Sequence, residues 1–252
     1  MNVLAVIPAR YASTRLPGKP LADIAGKSMV RRVYEQTRKA RLVSDVVVAT
    51  DDRRIADEVT RFGGTARMTP EEIRSGSDRI ALVARGASAE IVVNVQGDEP
   101  LIDPALIDQT VQTLLERPEA VVATAVKRIA DPADLTNPNV VKAVLDRNGF
   151  ALYFSRSAVP FLRDAQPGVF PAGGALYYKH FGIYVYRADF LQTFAGLEPT
   201  PLEQAEKLEQ LRILEHGYRI ACAVTEYESF PVDTPEDLRT VTERLQRTAE
   251  GR

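Results

Sequence analysis

Three basic side chains fall within a short stretch near the start of the chain, directly after an apolar run. Arg10, Arg15 and Lys19 share this stretch with Ser13, and no acidic residue interrupts it. A polyphosphate requires fixed cations, backbone N–H groups and little side-chain bulk, which this stretch provides. The alternative is a surface loop with solvated charges. The stretch matches neither the GxxxxGKS/T phosphate loop nor the GxGxxG fingerprint, which argues against a P-loop NTPase and a standard NAD enzyme.

A second candidate is the run NVQGDEP, which follows another apolar stretch. Its Asp98 would lie at the carboxyl end of a buried strand, where open α/β sheets bind ligands. A carboxylate there suits Mg²⁺, which takes few protein oxygens and completes its coordination with phosphate oxygens. Gly97 would let the backbone approach a ligand closely. The alternative is a Gly-Asp turn followed by a helix cap at Asp103.

Two further positions are single residues with two interpretations each. Asp233 precedes a predicted helix start at Thr234-Pro235, so it is either a second Mg²⁺ ligand or, like Thr234, only a helix cap. His180 opens a predicted strand, where it either faces a ligand or is an ordinary histidine with no functional role.

The elements that must position these residues follow from hydrophobic periodicity. Four short apolar runs predict strands buried on both faces: Val3–Ile7, Val46–Thr50, Ile91–Val95 and Val121–Val126. Stretches with helical spacing lie between them: Met29–Ala40, Ile55–Phe62 and Asp103–Glu116. This alternation predicts an α/β fold with a mixed, mainly parallel, Rossmann-like sheet and helices on both faces.

The middle of the chain has a different pattern. Val140–Leu145 and Phe150–Phe154 flank an Asn-Gly turn and predict a hairpin, and Gly182–Arg187 alternates like a strand. Residues 163–178 are rich in proline and glycine and predict an exposed, mobile loop. Leu202–His216 is amphipathic and ends at a glycine, which predicts a helix.

Composition excludes several classes of protein. The 252 residues are 26% charged and 45% hydrophobic, as in an ordinary globular protein, and 32 basic against 34 acidic residues give a net charge of −2. A nucleic-acid partner is not expected without a basic excess. No apolar run approaches the roughly 18 residues of a membrane span, and we interpret the N-terminus as a strand and not as a signal peptide. The single cysteine, Cys222, excludes an internal disulfide framework and is consistent with a cytoplasmic location.

Taken in order, the motifs resemble one family. PARYASTRLPGKPL, VATDD, SGSDR, NVQGDEP, NPNVVK, ALYFSR, HFGIYVYR, LEQLRIL and VDTPEDL are similar to the 3-deoxy-manno-octulosonate (KDO) cytidylyltransferases, also called CMP-KDO synthetases. The similarity runs from Met1 to about Leu245. HFGIY, LEQLR and VDTPEDL together favour the KDO enzymes over their sialic-acid relatives.

The resemblance implies the nucleotide-diphosphosugar-transferase fold in a single domain over residues 1–252. It divides this domain into a CTP-binding half (1–126), a half for sugar-acid binding and dimerisation that contains the hairpin (127–230), and a return segment with the second metal ligand and the last helix (231–252). It also implies a homodimer.

The reaction that the resemblance implies is CTP plus KDO giving CMP-KDO and pyrophosphate, with Mg²⁺ as cofactor, in lipopolysaccharide biosynthesis. Three groups of site residues carry over by matching position. CTP would be held by Arg10, Ser13, Arg15, Lys19, Ser75, Arg79 and Gln96, with Arg10 and Lys19 also catalytic. Mg²⁺ would be held by Asp98 and Asp233, which are likewise assigned as catalytic. The sugar acid would be bound by Arg156, His180, Tyr184, Glu209 and Gln210.

The chain departs from the family pattern at two places. Glu228-Ser229-Phe230-Pro231 precedes Asp233 where a glycine-containing run is expected, and Gln166–Tyr178 is unlike other members. Two alternatives stay open: a nucleotidyltransferase of the same fold that acts on an 8-amino KDO analogue or a sialic acid, and a catalytically inactive nucleotide-binding module.

Overall fold

The computed structural model describes residues 1–12, 16–73, 75–163 and 176–250, and the side chains of residues 248–250 are not described. The chain divides into two compact units. Unit 1 comprises Met1–Asp108, Arg187–Ala195 and Ser229–Arg252, and unit 2 comprises Gln109–Tyr186 and Gly196–Glu228. The assignment of a single domain with three segments stays a prediction.

The described residues form eleven strands and nine α-helices, with a short 3₁₀ helix at Lys19–Leu21. The strands are β1 (Val3–Ala9), β2 (Asp23–Ile24), β3 (Lys27–Ser28), β4 (Asp45–Thr50), β5 (Thr65–Met68), β6 (Ile91–Asn94), β7 (Val122–Arg128), β8 (Lys142–Leu145), β9 (Ala151–Ser155), β10 (Tyr178–Arg187) and β11 (Ile220–Val224). The helices are α1 (Met29–Thr37), α2 (Arg53–Arg61), α3 (Gly76–Ala84), α4 (Pro104–Leu115), α5 (Pro132–Thr136), α6 (Ala188–Ala195), α7 (Pro201–Glu206), α8 (Gln210–Glu215) and α9 (Pro235–Glu250). Within the described ranges, none of these helices is long and apolar enough to cross a membrane.

Unit 1 contains a parallel sheet in the order β6-β1-β4-β5. Its central strands are nearly free of solvent contact, as their unbroken apolar sequences predict. Because the strands are parallel, the segments that follow β1, β4 and β6 all leave from the same edge. These segments begin at Arg10, Asp51 and Val95, so the sheet brings the basic stretch and NVQGDEP together.

The last helix belongs to unit 1 through a small apolar cluster. Val232 and Val241 pack with Ile24 and Met29, and all four side chains are almost fully buried. Phe230 and Leu245 cover this cluster from its edge. The core contact fixes both the segment that contains Asp233 and the start of α9.

Unit 2 has a mixed sheet. β7 pairs with β11 in parallel and with β10 in antiparallel orientation, and β8 pairs antiparallel with both β9 and β10. The predicted hairpin is present as β8 and β9. Its turn is closed by Asp146, whose carboxylate accepts from the backbone N–H of Asn148 and Phe150, and Gly149 has a φ of 81°. Cys222 on β11 is buried, and burial raises the pKa of its thiol to about 12.

Two sequence-based expectations differ from the structure. Leu202–His216 is not one helix but two, α7 and α8, because Lys207 takes a left-handed conformation with a φ of 56° between them. The expected strand Gly182–Arg187 is longer and begins at Tyr178, so it includes His180. Most of the expected loop at 163–178 lies outside the described residues. The predicted mixed α/β class is confirmed.

Candidate active site

A cleft of about 440 Å³ lies at the carboxyl edge of the unit 1 sheet. Six of the predicted residues line it: Arg10, Lys19, Arg79, Gln96, Asp98 and Asp233. Ser13 and Arg15 lie outside the described residues. The sheet edge therefore collects side chains from both ends of the sequence into one concave surface.

The centre of the cleft is one ammonium group between two carboxylates. The Lys19 Nζ lies 2.8 Å from Asp98 Oδ2 and 3.0 Å from Asp233 Oδ1. Burial alone would lower the pKa of Lys19, but the charges and hydrogen bonds of the two aspartates outweigh it and raise that pKa. Lys19 is therefore a fixed cation at neutral pH.

Asp98 is placed by close contact between its loop and strand β1. A Cβ atom added to Gly97 would lie 2.7 Å from the backbone oxygen of Pro8, closer than real Cβ contacts allow. Only glycine permits this approach. The loop after β6 is thereby pressed against β1, and Asp98 faces the residues that follow β1.

Asp233 is not the cap of α9. The Asp237 carboxylate accepts hydrogen bonds from the backbone N–H of Asp233 and of Thr234, and the Thr234 hydroxyl accepts one from the N–H of Asp237. Thr234 and Asp237 therefore form the reciprocal cap. The Asp233 carboxylate instead faces Lys19. The cap interpretation of Asp233 is therefore wrong, and its role as a metal ligand stays a prediction.

Asp51 contacts two of the cleft residues, and the sequence reasoning did not single it out. Its Oδ2 accepts from Arg79 Nη2 at 2.7 Å and lies 3.4 Å from Arg10 Nε. Arg79 is fully buried and also donates to the Thr69 hydroxyl and, at 3.0 Å, to the Ile73 carbonyl. The available signal was its position directly after β4, at the same sheet edge as Arg10.

The other two residues predicted for the cytidine side have local roles as well. The Ser75 hydroxyl accepts from the Asp78 N–H at 3.0 Å and caps α3. Gln96 Nε2 donates to Asn94 Oδ1 at a long 3.3 Å. The assignment of these residues to CTP stays a prediction.

The five residues predicted for the sugar acid all lie in unit 2. His180 Nε2 lies 2.8 Å from the Thr124 hydroxyl, and the His180 ring lies 5.4 Å from the Tyr184 ring, centroid to centroid. Burial lowers the pKa of His180 to about 3, so its ring is neutral at physiological pH. Burial, with the charge of Glu209 among smaller causes, raises the pKa of Tyr184 well above its usual value. These residues of unit 2 thus include two neutral rings and one carboxylate, and their assignment to the sugar acid stays a prediction.

Arg156 and Gln210 differ in whether their side chains have hydrogen-bond partners within the protein. Arg156 donates from Nε to the Glu206 carbonyl at 2.7 Å and from Nη1 to the Pro138 carbonyl at 3.0 Å. Gln210 is 3% exposed, and within the described part of the chain its Nε2 has no hydrogen-bond partner. A buried amide without a partner indicates a ligand or water at that position.

The donor set at the cleft suits a hard cation that shares its coordination with phosphate. No group of three or more His, Cys, Asp or Glu side chains among the described residues could hold a metal by itself. Asp98 and Asp233 do converge on one cation, the Lys19 ammonium. Two carboxylates plus substrate oxygens are the donor set that Mg²⁺ takes in nucleotide sites.

Comparison with known proteins gives a consistent result. The family described as Cytidylyltransferase matches residues 4–220. The 3-deoxy-manno-octulosonate cytidylyltransferase of Geobacter sulfurreducens is 57% identical over 250 residues, covering 98% of this chain and 100% of the relative. The protein of the same name from Trichlorobacter lovleyi is 53% identical over 251 residues, again covering 98% of this chain and 100% of the relative.

Solved structures agree with the sequence relatives. The structure of CMP:2-keto-3-deoxy-manno-octonic acid synthetase complexed with CTP superposes with a TM-score of 0.91 at 42% identity, covering 98% of this chain and 100% of that chain. The 4-diphosphocytidyl-2C-methyl-D-erythritol synthase of Anaerococcus prevotii has a TM-score of 0.63 at 12% identity, covering 97% of this chain and 98% of that chain, and shares the fold alone. Full-length relatives at more than half identity place the chain in the cytidylyltransferase family, among the 3-deoxy-manno-octulosonate cytidylyltransferases.

Proposed function

We propose that this chain is a nucleotidyltransferase that activates KDO, converting CTP and KDO into CMP-KDO and pyrophosphate. The observation that carries the proposal is the convergence of Lys19, Asp98 and Asp233 in one cleft at the sheet edge. It is supported by relatives that carry this enzyme name over their full length.

The reaction forms one P–O bond and breaks another. The anomeric hydroxyl oxygen of KDO attacks the α-phosphorus of CTP, the bond to the β-phosphate oxygen breaks, pyrophosphate leaves in line, and the hydroxyl proton is released. Such transfers depend on positioning and charge neutralisation. In this proposal Arg10 and Lys19 bind and neutralise the phosphates, Asp51 orients Arg10, and Ser13 and Arg15 complete the CTP contacts.

We assign Asp98 and Asp233 as the residues that would hold Mg²⁺. When bound, the metal supplies Lewis-acid stabilisation of phosphate charge and eases deprotonation of the attacking hydroxyl. Lys19 has a hydrogen bond to each carboxylate and offsets part of their negative charge.

The sugar acid is assigned to unit 2. His180 and Tyr184 would pack against the sugar and hydrogen-bond to it as neutral groups, Glu209 and Gln210 would contact its hydroxyls, and Arg156 would meet its carboxylate. The unpartnered Gln210 amide supports this placement.

The wider proposal is that the product feeds lipopolysaccharide biosynthesis, and that the chain works in the cytoplasm as a homodimer. The single, buried cysteine is consistent with a reducing compartment. Light scattering after size-exclusion chromatography tests the oligomeric state, with twice the mass of 27.8 kDa expected.

The decisive experiment is pyrophosphate release from the purified chain with CTP, KDO and Mg²⁺, omitting each in turn. UTP and N-acetylneuraminic acid serve as substitutes for the two substrates. Release that requires all three components and is lost with either substitute supports the proposal. Release with another sugar acid but not with KDO overturns the substrate, and CTP binding without release favours an inactive nucleotide-binding module.

A further inference from the structure

The two carboxylates assigned to the metal lie on segments that are far apart in sequence, and the contacts between these segments set their separation. One contact is a backbone hydrogen bond from the Val232 N–H to the Asp98 carbonyl at 2.9 Å. A second is made by side chains next to them: the Ser229 hydroxyl donates to Glu99 Oε1. Glu99 follows Asp98 directly, and Ser229 begins the approach to Asp233.

We propose that the Ser229–Glu99 hydrogen bond is a positioning device that holds Asp98 and Asp233 at the separation the metal needs. This inference rests on the proposed function, since it assumes that the two aspartates bind a divalent cation. Neither Ser229 nor Glu99 lines the cleft, so both act through their neighbours.

Because Glu99 is largely buried, its hydrogen bond with Ser229 is costly to break. The largely buried Glu99 carboxylate accepts from the Ser229 hydroxyl and from the Phe230 backbone N–H, and its Oε2 has no hydrogen-bond partner among the described residues. Both contacts lead to the segment before Asp233. A buried polar group is held strongly by its partner, because losing that partner leaves it unsatisfied. The bond therefore resists sliding of one segment past the other.

Other side chains anchor the segment before Asp233 to the core. The segment can therefore stay folded when the Ser229–Glu99 bond is lost. Val232 is fully buried in the apolar cluster with Met29 and Val241. The Arg244 guanidinium lies 3.9 Å from the centroid of the Phe230 ring. Loss of the Ser229 hydroxyl should therefore leave this segment packed on the core, while the position of Asp233 relative to Asp98 becomes less well defined.

The test measures Mn²⁺ binding to the full chain by electron paramagnetic resonance in the presence of CTP and without KDO. We expect Ser229→Ala to raise the Mn²⁺ Kd by up to about tenfold, the low end of the effect of losing a group that hydrogen-bonds to a metal ligand, because Ser229 acts one residue further away. Ser229→Thr, which keeps the hydroxyl, is expected to retain Mn²⁺ affinity near the wild-type value. Glu99→Ala removes the same bond together with the contact to the Phe230 backbone, and it is expected to weaken Mn²⁺ binding at least as much as Ser229→Ala.

A double variant tests whether the two residues act through one bond. Mn²⁺ binding by Glu99→Ala/Ser229→Ala is expected to be no weaker than by Glu99→Ala alone, because the second change removes an interaction already lost. Additive losses would overturn the inference. If Ser229→Ala fails to fold, Glu99→Ala tests the same bond. Unchanged Mn²⁺ affinity in either folded variant would overturn the inference.

Asp98→Asn separates this inference from the proposed metal site. If the wild-type chain with CTP binds no Mn²⁺, or binds it equally well after Asp98→Asn, the metal assignment fails and the positioning role fails with it. If Asp98→Asn abolishes binding while Ser229→Ala binds like the wild type, only the positioning role is overturned.

Discussion

The charges of individual residues explain why this cleft would need a metal ion. CTP brings roughly four negative charges and KDO brings one carboxylate, and like charges at close range repel strongly. Asp98 and Asp233 add two more, while Lys19 supplies a single ammonium between them. The basic residues assigned to the two substrates, Arg10, Arg15, Lys19, Arg79 and Arg156, offset most of these negative charges. A divalent cation on the two aspartates would offset the rest.

Asp98→Asn is expected to abolish turnover while the fold survives. Loss of one charged contact that acts in the transition state costs about 2.7–4 kcal/mol, a hundredfold or more in rate. Pyrophosphate release measures the activity, and circular dichroism during heating checks the fold. Asp52→Asn is the matched control, because Asp52 caps α2 outside the cleft and asparagine also caps helices well. Turnover near the wild-type rate in folded Asp98→Asn would refute the assignment.

His180 gives a prediction about pH. Its pKa is about 3 in the folded chain, below the ordinary 6.5. As pH falls below about 6.5 the unfolded chain takes up a proton that the folded chain refuses, so the free energy of unfolding decreases. His180→Gln is expected to flatten this decrease.

Urea unfolding at several pH values between 6.5 and 4.5 measures the effect of His180→Gln. His216→Gln is the control, since His216 is exposed at the end of α8. Identical pH dependence in wild type and His180→Gln would show that His180 titrates normally.

The residues that form or support the cleft divide into those that the sequence predicts and those that it does not. Asp98 and Asp233 are predictable because each follows or precedes a recognisable element and matches a family motif. Asp51, Glu99 and Ser229 are found only from contacts between distant segments. Their side chains also suit turns and caps, so local sequence does not distinguish the roles.

At the scale of elements, hydrophobic periodicity predicts the buried strands and fails where burial is low. β1, β4, β6 and β7 appear where apolar runs place them. β5 was missed, because its residues are mostly exposed and do not alternate. The division between α7 and α8 was also missed, because the apolar spacing continues across Lys207 and no glycine marks its left-handed backbone.

A buried ion pair links these two helices and should matter for stability. The Arg212 guanidinium donates to both carboxylate oxygens of Glu203, and both side chains are about 10% exposed. Glu203→Ala removes the carboxylate counter-ion of a buried guanidinium and is expected to lower the free energy of unfolding by about 3–5 kcal/mol. Urea denaturation measures the change.

Glu203→Leu combined with Arg212→Met is the control for this pair. It replaces both charges with apolar groups of similar size, so we expect a smaller loss of stability than from Glu203→Ala. A double variant that is less stable than the single variant would contradict this explanation.

At the scale of the whole molecule, the predicted nucleotide and sugar-acid residues belong to different compact units. The described CTP and metal residues all lie in unit 1, and the five sugar-acid residues lie in unit 2. Asp233 lies in unit 1 because the chain returns to that unit at Ser229, and a hydrogen bond from the Val232 N–H to the Asp98 carbonyl joins the two segments.

Hydrogen exchange measured by mass spectrometry should distinguish the region that binds CTP from the region that binds KDO. CTP with Mg²⁺ is expected to slow exchange in peptides that contain Lys19, Asp98 and Asp233. Addition of KDO is expected to extend protection to peptides around His180 and Gln210, because ligand contacts reduce local opening. Protection by CTP confined to unit 2 peptides would contradict the assignment.

The buried thiol of Cys222 has a practical consequence for spectroscopy. A thiol with a pKa of about 12 and 6% exposure is expected not to react with maleimides at neutral pH, because only the accessible thiolate is nucleophilic. The chain contains no other cysteine. A cysteine introduced at an exposed site such as Phe161, which is 86% exposed, can therefore carry a fluorophore or spin label while Cys222 stays in place.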